Sequence, residues 1–208
     1  MASTQHLTQF ELEVLTARPA GACELVVNEK HFDQVVRDGM AKAQISLDIM
    51  TADFKAMLVP LETGKLRSSR KAKSIVELFR RLAGRGVEIR ILHAGTPSGP
   101  ALQELKKAGK EGELEGGGKL MIRRCPRLHA KAVVIDARVM YLGSANLTGA
   151  GLGAKAKHRR NFEMGIWTSA GPLIEGVLEQ FNVLWEGHQC KTCQRRDFCP
   201  VPLEEPRL

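Results

Sequence analysis

Residues 127–149, RLHAKAVVIDARVMYLGSANLTG, restrict the fold more than any other part of the chain. Two apolar runs, KAVVID and VMYLG, flank residues 137–138, and this pattern predicts two strands joined by a tight turn. Because side chains alternate along a strand, His129 and Lys131 are expected on one face at the start of the first strand. A strand that only had to pack would not place these two polar groups together.

The second strand of this hairpin leads to a further polar pair. Ser144 and Asn146 are two residues apart, and Gly143 before them allows a close backbone approach. Lysine, serine and asparagine all donate hydrogen bonds, and they suit a compact anion such as a phosphoryl group. Histidine in such a setting acts as a nucleophile or as an acid and base. No carboxylate cluster stands nearby in the sequence, so the pattern does not favour a magnesium or calcium site.

The rest of the chain alternates strands and helices, which predicts an α/β fold: a mixed β-sheet with helices on both faces. Ile45, Leu47 and Ile49 are expected to point inward from one strand, and Ser74 with Glu77 forms a capping box before a helix. Two segments, LETGKLRSSRKAK and KEGELEGGGK, are interpreted as a basic loop and a linker. Strands are predicted in ACELVVN, QISLDIMTA, VEIRILHAG, KLMIRRC and FEMGIWT, and helices in KHFDQVVRDGMAKA, GPALQELKKAG and PLIEGVLEQFNVLWEG.

The spacing His-x-Lys-x4-Asp-x6-Gly-Ser-x-Asn resembles the HKD motif of the phospholipase D superfamily, in its single-motif, nuclease-like subgroup. Similarity extends to QISLDIMTADF, LAGRGVEIRIL and NFEMGIW, and it covers roughly residues 22–187. In NFEMGIW, Glu163 stands where the family keeps an acidic residue that orients the histidine. The matching motif positions are His129, Lys131, Asp136, Gly143, Ser144 and Asn146.

The resemblance implies phosphodiester hydrolysis in two steps, without a catalytic divalent metal. One histidine attacks phosphorus and forms a phosphohistidine, and a second protonates the leaving oxygen and then activates water. Lys131 and Asn146 would hold the non-bridging oxygens with support from Ser144. Glu163 would accept a hydrogen bond from the His129 ring and fix its tautomer.

The family requires two motifs per active site, and this chain contains one. The resemblance therefore implies a homodimer with the active site at the subunit interface, where two copies of His129 face each other. Asp136 belongs to the motif, but its spacing places it at the far end of the strand. We expect it to have a structural role there.

The formal net charge of +8 favours a polyanionic partner, so we expect an endonuclease acting on DNA or RNA. Two alternatives stay open: hydrolysis of phospholipid headgroups, and binding of nucleic acid without catalysis. The candidate nucleic-acid contacts are Arg123, Arg124, Arg127, Lys155, Lys157, Arg159 and Arg160.

Cys190, Cys193 and Cys199 lie close together near the C-terminus, a spacing that suits a metal centre. The pattern is similar to the C-terminal cysteine triplet of certain iron–sulfur nucleases with an unrelated fold, which take their fourth cysteine from far upstream. Cys125 is the expected fourth ligand, and Cys23 is a weaker alternative. A [4Fe–4S] cluster is expected. A structural zinc ion, held with His188 in a three-cysteine site, is the alternative.

These features divide the chain into three parts. Residues 1–21 form an N-terminal extension, residues 22–187 a phospholipase D-like phosphodiesterase domain, and residues 188–208 a cysteine-rich metal-binding tail. The sequence shows neither a leader pattern nor an apolar run long enough to span a membrane, so we expect a cytoplasmic protein.

Overall fold

The computed structural model describes residues 21–60, 72–110 and 118–204. Most of the N-terminal extension, most of the basic loop and most of the predicted linker lie outside these residues. The helices are α1 Ile75–Ala83, α2 Gly99–Lys110 and α3 Gly171–Trp185. The strands are β1 Cys23–Val27, β2 Ser46–Thr51, β3 Leu58–Val59, β4 Lys73–Ser74, β5 Glu88–His93, β6 Leu120–Arg124, β7 Ala132–Ile135, β8 Val139–Gly143 and β9 Met164–Thr168.

Within the described residues, seven of these strands form one sheet in the order β1–β9–β8–β7–β2–β5–β6. Strands β2, β5 and β6 are parallel, and the other neighbouring pairs are antiparallel. Strands β3 and β4 pair separately. The predicted mixed sheet is therefore confirmed. No helix in the described ranges has both the length and the apolar character that crossing a membrane requires.

Helices cover both faces of the sheet, as the sequence predicts. On one face, α1 and α2 join the main core, and Phe79 and Leu105 are fully buried there. On the other face, Phe181 and Trp185 of α3 pack with Leu92 of β5. Helix α1 begins where the backbone N–H of Glu77 donates to the Ser74 hydroxyl over 3.1 Å, which is half of the predicted capping box.

Two expectations about local structure are wrong. Ile45 does not point inward but is 60% exposed, whereas Asp48 and Met50 are 5% and 4% exposed. Ile45 precedes β2, which begins at Ser46, and alternation fails within β2 because this central strand is covered on both faces. The helix predicted from KHFDQVVRDGMAKA is divided at Gly39 into a π-helical turn and a short 3₁₀ turn. A side chain at Gly39 would come within 2.7 Å of the Trp167 ring, so the backbone packs too closely there for any other residue.

The β7–β8 hairpin turns at Asp136 and Ala137, with φ angles of +54° and +52°. These left-handed values are typical of a two-residue turn that follows the twist of the strands. The Asp136 carboxylate accepts hydrogen bonds from the backbone N–H groups of Gln44, Ile45 and Ser46, at 2.7 to 3.1 Å. Asp136 thus joins the hairpin turn to the start of β2, at the end of the sheet away from His129.

Candidate active site

Apart from Asp136, the motif residues gather at one end of the sheet because of the strand register. Thr51, His93 and Arg124 lie side by side where β2, β5 and β6 end. Strand β7 begins at the same end, and β8 finishes there with Gly143 opposite Gly165 of β9. A Cβ atom on Gly143 would lie 2.6 Å from the Gly165 Cα, so this close strand contact requires glycine.

His129 and Lys131 lie in an extended stretch just before β7 and contact each other. The Lys131 Nζ is 3.2 Å from Nδ1 and 3.1 Å from Nε2 of the His129 ring. His129 is exposed, whereas Lys131 is only 9% exposed. No carboxylate in the described ranges pairs with Lys131. A nearly buried ammonium without a counter-ion beside an accessible imidazole is suited to bind an anion.

Glu163 is held by two side chains, and neither is the histidine. The Ser144 hydroxyl donates to one carboxylate oxygen, and Asn161 Nδ2 donates to the other over 2.9 Å. The Ser144 oxygen in turn accepts from the backbone N–H of Met164 at 3.1 Å. The expected hydrogen bond from the His129 ring to Glu163 is not formed in this structure, where the ring instead contacts Lys131. In this structure Glu163 orients Ser144.

Asn146 is fixed through the carbonyl end of its side-chain amide. Its Oδ1 accepts from the backbone N–H groups of Ala52 at 3.1 Å and Asp53 at 3.0 Å. Thr51 supports the same region, since its hydroxyl accepts from the backbone N–H of Leu147 over 2.9 Å. With the carbonyl end held by the loop after β2, the NH₂ end is left to donate to a ligand.

A buried histidine–tyrosine pair lies beneath the Gly-Ser-Ala-Asn segment, and the sequence did not indicate it. His31 Nε2 is 2.9 Å from the Tyr141 hydroxyl, and its Nδ1 is 2.8 Å from the backbone oxygen of Asn28. The Tyr141 oxygen accepts from the backbone N–H of Ala145 at 3.1 Å. Burial lowers the pKa of His31 and raises that of Tyr141 to about 12. The neutral pair thereby fixes the backbone between Ser144 and Asn146.

A second buried histidine, His93, ends β5 next to Thr51. Its Nδ1 donates to the backbone oxygen of Gly95 over 2.8 Å, while its buried Nε2 has no hydrogen-bond partner among the described residues. Burial lowers the pKa of His93, and the positive charge of Arg124 lowers it further. The imidazole ring is consequently neutral. The backbone oxygen of His93 accepts a hydrogen bond from the N–H of Cys125 at 2.8 Å.

The basic residues near the site divide into two groups. Arg123 donates to the backbone oxygen of Trp185 and stacks on its ring, and Arg124 donates to Ala94 and pairs with Glu204. Both arginines therefore make contacts within the fold, and their predicted contact with nucleic acid stays a prediction. On the loop from Asn146 to Glu163, Lys155, Lys157 and Arg159 are exposed, and Arg127, two residues before His129, is exposed as well.

Three of the five cysteines line one cavity of roughly 370 Å³, together with His129 and Arg127. Burial is the main cause that raises the pKa of the Cys125 thiol. Arg127 donates to the Cys193 sulfur over 3.5 Å and so lowers the pKa of Cys193. Among the described residues, no three histidine, cysteine or carboxylate groups already stand close enough to share a metal ion. The three cysteines in the cavity wall are Cys125, Cys190 and Cys193.

Three solved structures of similar fold match most of this chain. The first, Nuc from Salmonella typhimurium, is described as a phospholipase D family member; it has a TM-score of 0.55 and 19% identity, and the match covers 80% of this chain and 95% of that one. NucT from Helicobacter pylori has a TM-score of 0.54 and 16% identity, with coverage of 80% and 96%. The archaeal chromatin protein TrmBL2 has a TM-score of 0.51 and 17% identity, with coverage of 86% and 59%.

Comparison with curated protein sequences found no match. A family model does match, however: the one described as "Cardiolipin synthase, PLD-like domain" covers residues 36–185. This range includes every strand of the central sheet except β1, together with the whole histidine motif and Glu163. The chain therefore belongs to the phospholipase D-like family.

Proposed function

We propose that the chain is a nuclease that hydrolyses phosphodiester bonds through a phosphohistidine, in a homodimer where each protomer supplies one His129. The observation that carries this proposal is the Lys131 ammonium, which is almost buried, contacts both ring nitrogens of His129 and pairs with no carboxylate of the described residues. Such a charge needs an anion, and a phosphodiester supplies one.

The proposed reaction uses each side chain where the structure places it. The His129 ring of one protomer attacks phosphorus, while Lys131 and the NH₂ group of Asn146 neutralise the non-bridging oxygens. His129 of the second protomer donates a proton to the leaving oxygen. That ring then takes a proton from water, and the water oxygen breaks the phosphorus–nitrogen bond. Ser144, oriented by Glu163, supports the oxygens.

The surface beside the site suits a second copy of the chain. Phe162 is 96% exposed and Met164 is 58% exposed, and both flank the buried Glu163. Large apolar side chains with this exposure next to a polar site favour a protein contact. A twofold axis at this end of the sheet would cover them and bring together the two exposed copies of His129.

Charge placement supports nucleic acid as the substrate. Lys155, Lys157 and Arg159 are exposed on a loop that starts and ends at site residues. With the net charge of +8, they form a positive rim for a phosphate backbone. TrmBL2, which has a similar fold, is a chromatin protein that binds DNA. A phospholipid substrate is the competing outcome, since a structure of phosphatidylserine synthase from Haemophilus influenzae also matches at 17% identity and a TM-score of 0.50, with coverage of 79% of this chain and 38% of that one.

The test is cleavage of single- and double-stranded DNA and RNA, in parallel with phosphatidyl substrates, all in the presence of EDTA. We expect nucleic-acid cleavage by the wild type, retained by His188→Asn and abolished by His129→Asn. A substrate carrying radioactive phosphate should leave an acid-labile label on the wild-type chain and none on His129→Asn. Turnover of phosphatidyl substrates alone, or full activity of His129→Asn, would refute the proposal.

A further inference from the structure

The C-terminal segment, residues 186–204, returns to the end of the sheet where the candidate active site lies. After α3, Gly187 adopts a φ of +76° and its backbone oxygen accepts from the N–H of Cys190 at 2.9 Å. At the other end of the segment, the backbone oxygen of Glu204 accepts from the N–H of Arg124 at 3.0 Å. The segment is thus anchored beside β6, one residue before Cys125.

A cysteine directly after β6 and cysteines of the C-terminal segment meet at the cavity between this segment and the sheet. Cys125, Cys190 and Cys193 line it. Cys199 lies in the same C-terminal segment, where its thiol donates to the backbone oxygen of Val201 over 3.5 Å, two residues before Leu203 of the cavity wall. The remaining lining is largely apolar, with Met50, Leu128, Leu184 and Leu203 among its residues. Thiol groups grouped in an apolar cavity are typical ligands for soft metal centres.

The alternative fourth ligands are placed less well. Cys23 begins β1 opposite Thr168, at the end of the sheet far from Gly143 and Gly165. The His188 ring pairs with Glu186 at 3.1 Å and is not part of the cavity wall. Cys125 therefore completes the set better than either of them.

We propose that Cys125, Cys190, Cys193 and Cys199 ligate an iron–sulfur cluster of the [4Fe–4S] class beside the candidate active site. Each thiol would release its proton on ligation. The four sulfurs do not yet surround a common point, so the residues between Gly187 and Leu203 must close around the cluster.

The cluster would also stabilise the loop that carries the histidine. The backbone oxygen of Cys125 accepts from the N–H of Leu128 at 2.9 Å, which forms a turn directly before His129. Arg127 in that turn donates to the Cys193 sulfur. Ligation of both cysteines would fix the turn and with it the imidazole. This coupling rests on the proposed function, whereas cluster binding does not.

The test begins with full-length protein purified without oxygen. We expect about four iron and four sulfide per chain, with the broad visible absorption of a cluster. Cys125→Ser should lose most of the iron, although it leaves the three tail cysteines unchanged. Cys193→Ser should also lose most of the iron. Cys23→Ser is the matched control and should keep the wild-type iron content. Circular dichroism checks that each variant is folded.

Three results would overturn cluster binding: one zinc per chain without iron, no metal at all, or wild-type iron content in folded Cys125→Ser. For the coupling, we expect cluster-free dimer to cleave at least about tenfold more slowly than loaded dimer, because loss of orientation at the nucleophile is costly. Equal rates would refute the coupling. A loaded chain that cleaves no nucleic acid would refute the proposed function and leave cluster binding intact.

Discussion

The proposed role of Lys131 in binding a phosphodiester comes with a penalty for stability. The residue is 9% exposed, and its ammonium faces the His129 ring rather than a carboxylate. Burial of a charge without a partner opposes folding, and neutral replacements at such positions often stabilise a protein. The same charge is what a phosphodiester requires.

We therefore predict that Lys131→Met separates the two properties. Cleavage should fall by about 100-fold or more, because the variant loses the charge that stabilises the phosphoryl oxygens. The free energy of unfolding should stay constant or rise by about 1 kcal/mol, because methionine keeps the apolar stem. Kinetics and denaturant unfolding measure the two effects, with exposed Lys119→Met as the control. A variant that is both active and less stable would contradict the prediction.

His31 makes stability depend on pH. Burial holds its pKa below the ordinary 6.5 in the folded state, so the unfolded chain takes up a proton that the folded chain does not. The free energy of unfolding should consequently fall as the pH drops below about 6.5, until the lowered folded pKa is reached.

Replacement of His31 by asparagine should reduce this dependence. Between pH 6.5 and pH 5, the slope should decrease by up to about 1.4 kcal/mol per pH unit, the value for one proton. Tyr141→Phe removes the hydroxyl partner but keeps the buried histidine, and it should retain the slope while it lowers stability at every pH. Denaturant titrations at several pH values measure both variants. An unchanged slope in His31→Asn would exclude His31 as the source.

Among the elements, the β7–β8 turn has the clearest prediction. Asp136 accepts three backbone N–H groups at the start of β2 and lies away from His129. Asp136→Ala should lower the free energy of unfolding by about 2 kcal/mol, because charge-assisted hydrogen bonds are lost. Asp136→Asn keeps one acceptor oxygen and tolerates the left-handed φ, so its free energy of unfolding should fall by less. If folded Asp136→Ala loses cleavage as completely as His129→Asn, the structural role is wrong.

Local patterns explain how much of the fold could be predicted. The Ser74 cap and the β7–β8 hairpin depend on neighbours in sequence, so the sequence indicated them directly. The His31–Tyr141 contact joins residues 110 positions apart, and no spacing rule relates them. Arg123 and Arg124 carried a charge that suggested an exposed surface, yet Trp185 and Glu204 meet them across the tertiary structure. The chemical role of a side chain could be predicted from its residue type, whereas its contact partners depend on tertiary packing.

At the scale of the whole molecule, the proposed active site would be a property of two copies, because each chain contributes one motif. The exposed His129 and the exposed Phe162 occupy the same end of the sheet. If the two histidines have different roles in one reaction, a dimer with a single His129 should be inactive. Activity should then depend on the fraction of dimers that keep both histidines, and subunit mixing makes this dependence measurable.

We predict that equal amounts of wild type and His129→Asn, after subunit exchange, retain about half of the activity present before exchange. Random pairing leaves about one dimer in four fully wild type, compared with one in two before exchange. Cleavage assays before and after exchange measure this, with His188→Asn as the mixing partner in the control. Because that control keeps both copies of His129 in every dimer, its activity should not change. Unchanged activity with His129→Asn would show that one histidine suffices, and the shared site would be excluded.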